Sequence, residues 1–167
     1  MKSHAELFPV VDEEGNILGE ALRSVCHDGK SKLLHPVVHL HVFNNAGSLF
    51  LQKRAMTKDI QPGKWDTSVG GHVSPGENIH DALIRESNEE LGLKDISPVF
   101  LRKYVWESTR ERELVNSFSV KTDQKPVINQ DELDDGRFWS LDEIKGSMGK
   151  NIFTPNFEYE FKMLFII

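Results

Sequence analysis

Glu86, Glu89 and Glu90 lie within five consecutive residues, immediately after Arg85. On a helix these three positions are i, i+3 and i+4, so their carboxylates project from one strip of the surface. Like charges four apart cost roughly 0.2–0.5 kcal/mol, and the natural counterweight for several carboxylates on one strip is a hard divalent cation taking oxygen ligands. One turn towards the N-terminus the same strip carries Ile79, Ala82 and Leu83. The acidic strip thus continues an apolar, inward-facing one, and a wholly solvated acidic face is the poorer reading.

The elements that must position this strip fit one domain, expected over residues 1–167, with a net charge of -6 and a single cysteine, Cys26. One cysteine excludes an internal disulfide framework. The absence of a leader-like or membrane-length apolar run points to a cytoplasmic protein without a membrane partner. The acidic balance argues against nucleic-acid polymers and would repel a phosphorylated ligand at long range. A phosphate ligand therefore needs bound metal and a local basic patch, for which Arg54 and Lys58, with Lys53 and Lys64 nearby, are the candidates.

Residues 6–11 read as a strand entering a turn, 17–25 are ambiguous, and 36–43 with 48–54 read as a β-hairpin about Asn44–Gly47. A long, first basic and then glycine-rich connection, with a short strand near Thr67–Val69, leads to the helix. Ser74, Pro75, Gly76 and Glu77 look like a capping box with proline first in the helix, and Gly92 ends it. Strands are expected over 99–106 and 114–121, then a largely irregular 122–136, a last strand over 137–140, a short helix to about 148 and a helix with Phe157, Phe161, Leu164 and Phe165 on one face. The sum is an α+β domain with a mixed sheet flanked by helices.

Taken as spacing, the central stretch is Gly71, five residues, Glu77, seven residues, Arg85-Glu86, two residues, Glu89-Glu90, one residue, Gly92-Leu93. It resembles the Nudix box. Ser87 departs from it, standing where an aliphatic residue usually packs the helix on the sheet. The runs HPVVHLHVFN, LFLQKR, TKDIQPGKWDTSVGGHVSPGE and ERELV resemble, more narrowly, the Nudix proteins close to type I isopentenyl-diphosphate isomerases. In those isomerases a catalytic cysteine occupies the position of Gly70.

The resemblance implies the Nudix fold, an α/β/α sandwich about a mixed central β-sheet, and a Mg²⁺-dependent hydrolase, with Mn²⁺ as stand-in, that cleaves a diphosphate linkage in a nucleoside, isoprenoid or other small molecule. Glu86 and Glu90, with Glu89 and the Gly70 carbonyl, are the implied metal ligands. Arg85 orients Glu86 and pairs with Glu77, while Gly71, Arg54 and Lys58 attend the substrate. Glu111 and Glu113 match a pair that binds metal and acts on substrate in the isomerases; here Glu113 is expected as a base or further ligand and Glu111 as a substrate contact, against a reading of both as turn charge. Glu132 is a weaker candidate for the base. An isomerase and a non-catalytic binding module are the competing functions, and a homodimer is compatible with the family.

Three other groups are weighed with these. His27, His35 and His72 lie where the isomerases draw metal-binding imidazoles, but the spacing of the first two differs by a residue, so a histidine metal site is not the favoured expectation. His39 and His41 read as side chains packed in a half-buried strand face. Trp65 and Cys26 read as core.

Overall fold

The computed structural model describes residues 6–58 and 60–166, so the expected bounds at 1 and 167 lie outside it. In chain order it contains β1 (Leu7–Val11), β2 (Ile17–Leu22), α1 (Arg23–Cys26), β3 (Leu34–Phe43), β4 (Leu49–Arg54), β5 (Trp65–Asp66), β6 (Val69–His72), α2 (Ile79–Leu91), β7 (Val99–Glu107), β8 (Arg112–Lys121), β9 (Leu133–Trp139), α3 (Leu141–Ser147) and α4 (Pro155–Phe165). β1 and β2 form an antiparallel ribbon, and the other strands form one mixed sheet ordered β5-β4-β3-β8-β7, with β6 added to β3 and β9 to β4.

β3 is the reference strand. It runs parallel to β8 from Leu34↔Arg112 to Phe43↔Lys121 and antiparallel to β6 from Val37↔His72 to Leu40↔Val69. Strand side chains alternate between the two faces, and helices cover both. Val38, Leu40 and Val42 pack with Ala82, Leu83 and Leu91 of α2, while Leu49, Leu51 and Trp139 pack on the other side with Ile144, Phe153, Phe157 and Phe161. This two-sided cover is the expected α+β arrangement, and it explains why β3 reads as a nearly continuous buried run.

Several local expectations are corrected. β3 and β4 are joined by the anticipated turn, but only Phe43↔Leu49 pairs between them; beyond it the strands diverge to take β6 and β8, or β5 and β9, as partners. Residues 17–25 resolve into β2 and the start of α1, the short strand near Thr67 becomes β5 and β6, and β9 begins four residues before the expected Arg137. α2 is capped not by Ser74 but by Asn78, whose side chain accepts from Asp81 N at 2.8 Å. Gly76, at φ +78°, breaks right-handed helical geometry before that point. Ser74 and Glu77 instead close a turn, with Ser74 N donating to Glu77 Oε1 at 3.0 Å. Gly92 ends the helix at φ 66° as anticipated. Ser87 is fully buried, and its hydroxyl donates to Leu83 O at 2.7 Å, which satisfies the polar group at a packing position.

Candidate functional site

The glutamate strip of α2 divides in two. Glu86 and Glu90 are buried, whereas the Glu89 side chain is 52% exposed and reaches Arg85 Nη1 at 3.3 Å. Around the axis Glu90 lies roughly 40° from Glu86 and Glu89 roughly 60° the other way, so only the first two turn in together beneath the sheet. Arg85 donates to Glu77 through Nε and Nη2 at 2.8 and 2.9 Å, to Glu86 Oε1 at 2.8 Å and to the His72 carbonyl at 3.0 Å. One planar cation therefore ties the turn before α2, the helix and the end of β6 together. A Cβ on Gly71 would stand 2.2 Å from Glu86 Cδ, which is why the backbone there carries none.

On the inner side, Gln52 of β4 donates to Glu90 Oε1 at 2.8 Å and to the Ser68 carbonyl at 3.2 Å, and Gly70 N lies 3.4 Å from the same Glu90 oxygen. Burial, and then the charge of Glu86 and a hydrogen bond with it, push the Glu90 carboxyl well above the usual carboxylate range. Two buried carboxylates in contact share either a proton or a cation. Their all-oxygen donors, with the exposed Gly70 beside them, fit a hard divalent ion.

A second centre stands at the other end of β6, assembled from four segments: His27 after α1, His35 at the start of β3, His72 ending β6 and Glu111 before β8. One ligand atom from each lies within 4.8 Å of all the others. Glu111 Oε2 is 2.7 Å from His27 Nε2 and 3.7 Å from His35 Nε2, yet these three buried atoms form no aligned hydrogen bond. His35 Nδ1 lies 2.9 Å from the Leu33 carbonyl, so that nitrogen carries the proton and Nε2 faces the centre. Phe8 of the β1–β2 ribbon stacks on His72 at 4.2 Å and holds the ring from outside. Burial acts against the Glu111 carboxylate, but the imidazoles outweigh it and hold the group well below the usual range. Three nitrogens and an oxygen converge as a transition-metal site would require, a grouping that the sequence reading did not favour. Glu113, next on the same face of β8, is pushed up to about 7 by burial and the charge of Glu111. Neither glutamate is turn charge.

His39 and His41 are also more than packed side chains. Glu160 of α4, fully buried, is contacted by His39 Nδ1 at 2.8 Å and Ser117 Oγ at 2.9 Å, and by His41 and the Tyr104 hydroxyl. Burial disfavours the charged His39 ring, but the charge and hydrogen bond of Glu160 overcome this and raise it to about 9. The sequence reading passed over Glu160. Its signal was a charge on the apolar stripe between Phe157 and Phe161. Gln52, missed likewise, is a buried polar residue following Leu49, Phe50 and Leu51 in β4.

The basic patch is looser than expected. Arg54 Nη1 lies 3.5 Å from Asp66 and Nε donates to the Ile60 carbonyl at 3.0 Å, while Lys58 is exposed in the loop beyond β4. Glu132 lies in the loop before β9, its amide bonded to the Asn129 carbonyl at 3.0 Å, with no side-chain bond to either centre among the described residues. Trp65 packs at the edge of the α4-side core and Cys26 is fully buried, both as expected. No helix among the described residues is long and apolar enough to cross a membrane.

The NUDIX domain family model matches residues 33–157. The chain is 35% identical over 137 residues to an isopentenyl-diphosphate Delta-isomerase of Agromyces mediolanus, a match that covers 78% of this chain and 66% of that protein. It is 33% identical over 144 residues to an isopentenyl-diphosphate Delta-isomerase of Photorhabdus laumondii, covering 84% and 80%, and 32% identical over 136 residues to an uncharacterized Nudix hydrolase of Pseudomonas aeruginosa, covering 81% and 79%. In fold it is similar to a crystal structure from Deinococcus radiodurans, with a TM-score of 0.81 at 21% identity over 96% of this chain and 99% of that one. A MutT protein from Methanosarcina mazei gives 0.68 at 23% identity over 78% and 91%.

Proposed function

Because the chain belongs to the NUDIX family, with relatives named both as hydrolases and as isomerases, we propose that it is a divalent-metal-dependent hydrolase of a diphosphate linkage in a small molecule. The observation that carries this reading is the buried Glu86–Glu90 pair, clamped by Arg85 and Gln52. Its support is Gly70, which offers a backbone carbonyl and no acidic side chain to protonate a carbon centre.

In this reading Glu86 and Glu90 hold the ion, Mg²⁺ or Mn²⁺, and Arg85 fixes the Glu86 rotamer. A cation held by them would neutralise charge on the phosphoryl oxygens while water attacks phosphorus and the bridging P–O bond of the diphosphate breaks, its oxygen leaving with the other phosphate. Glu113, poised near 7, takes the proton from that water. Arg54 and Lys58 receive the outer phosphate oxygens, and Glu89 serves Arg85 from the surface. The substrate is a nucleoside, isoprenoid or other small diphosphate. The protein acts in the cytoplasm as one domain.

A second reading has an observation of its own. The His27–His35–His72–Glu111 centre with Glu113 beside it favours isopentenyl-diphosphate isomerase chemistry. A panel of nucleoside and isoprenoid diphosphates, assayed with Mg²⁺ and with Mn²⁺, separates the two. Hydrolysis predicts phosphate or monophosphate release that stops with chelator and in Glu90→Gln; an allylic diphosphate formed without phosphate release would replace it with the isomerase.

A further inference from the structure

β6 presents its two glycines to opposite sides. A Cβ on Gly71 would run into Glu86, whereas one on Gly70 would meet His39 Cδ2 at 3.7 Å and Nε2 at 3.9 Å, ordinary contact distances. Gly70 is exposed, so the absent side chain leaves an opening with the His39 ring along one wall. The ring is fixed from behind. Its Nδ1 is bound to Glu160 at 2.8 Å, and Glu160 is itself held by Ser117, His41 and Tyr104, so the ring has little freedom to turn. His39 Nε2 has no hydrogen-bond partner among the described residues, nor is it one of the sealed polar atoms. Cross-strand pairing of His39 with Gly70 sets this nitrogen beside the backbone that borders Glu90.

We propose that His39, positioned by Glu160, is a substrate-contacting residue, its Nε2–H donating a hydrogen bond to a phosphoryl oxygen of the diphosphate bound over Gly70. This rests on the diphosphate reading given above and adds a residue to it. The carboxylate at Nδ1 keeps the ring charged, which leaves Nε2 a donor, as an anionic oxygen requires. Asp66 acts on His39 electrostatically and pairs with Arg54, so a second cation stands on that side of the opening. A side chain at residue 70 would cover the donor.

The test uses the whole protein with Mg²⁺ and methylenediphosphonate, a diphosphate analogue that resists hydrolysis. Long-range ¹⁵N–¹H spectra should show the His39 Nε2 signal moving as the analogue is added. By calorimetry His39→Asn, whose amide can still donate to Glu160, should weaken binding about tenfold or more. His39→Gln, whose amide reaches towards the Nε2 position, should recover part of it. Gly70→Ala leaves the Glu160 network intact and should weaken binding to a similar degree, with His39→Asn adding little on top. An analogue that binds and depends on Glu90, while His39 Nε2 stays unmoved and His39→Asn binds as tightly as wild type, overturns the proposal alone. No binding to the wild type overturns the diphosphate reading and this proposal with it.

Discussion

The two candidate metal centres share β6 yet are built in opposite ways. The carboxylate centre draws both its ligands from one helix, four residues apart, and is braced by a single arginine. The imidazole centre draws one ligand from each of four segments spread between residues 27 and 111. A helix imposes its own spacing, so the two carboxylates of the first centre share a face wherever α2 forms, and β4 and β6 need only close over them. The second exists only when the β1–β2 ribbon, β3, β6 and β8 have all docked. Their donors differ as well: oxygen for the first, mostly nitrogen for the second, so they suit different ions.

The largest effect should come from Glu90→Gln, which removes a ligand and relieves its repulsion with Glu86. Turnover is expected to fall by about three orders of magnitude or more, while metal analysis still finds an ion bound by the imidazoles. Glu111→Gln reverses the test. It should lower zinc or manganese affinity at the imidazole centre at least about tenfold and leave most phosphate release in place. Loss of hydrolysis as deep as in Glu90→Gln would show that the centres act as one. Gly71→Ala drives a methyl into Glu86 and should destabilise the fold by about 1–3 kcal/mol, with activity lost at sub-denaturing temperature. Unchanged thermal midpoint and turnover would mean that Glu86 is not held where it stands.

The gentlest effect concerns pH. The folded pKa of His39 is raised from 6.5 to about 9, so its contribution to stability is full below 6.5 and is lost as pH rises through about 9. Glu160 is held well below 4.5 although burial opposes this, chiefly by the charges of His39 and His41. Its contribution is present above 4.5 and is lost only in stronger acid. The thermal midpoint should therefore drift down between pH 7 and 9 by about a few degrees and stay flatter in His39→Asn; equal slopes in the two proteins would remove His39 as the cause.

Much of this was readable in the chain. The helix with Glu86 and Glu90, its end at Gly92 and the strands on either side follow from contiguous residues and short spacings, whereas the Arg85–Glu77 pairing was implied by the family resemblance. The helix start was misplaced because Ser74 and Glu77 do interact, but within a turn that Gly76 keeps out of the helix. The hairpin was overread because alternation marks strands without naming their partners, and β3 takes β6 and β8 instead. Sequence spacing gives Glu89 an azimuth on the strip, and packing decides that its flank is the exposed one.

What the sequence determined by itself was the family, the class of fold and the pair of carboxylates, because each is written in a local period or a fixed spacing. Only tertiary structure decided that His27, His35, His72 and Glu111 meet, that Glu160 lies under His39, and that Gly70 faces the His39 ring across the strands. Those facts depend on strand order, register and the docking of α4. They bring together residues up to 121 positions apart, over which no local pattern extends.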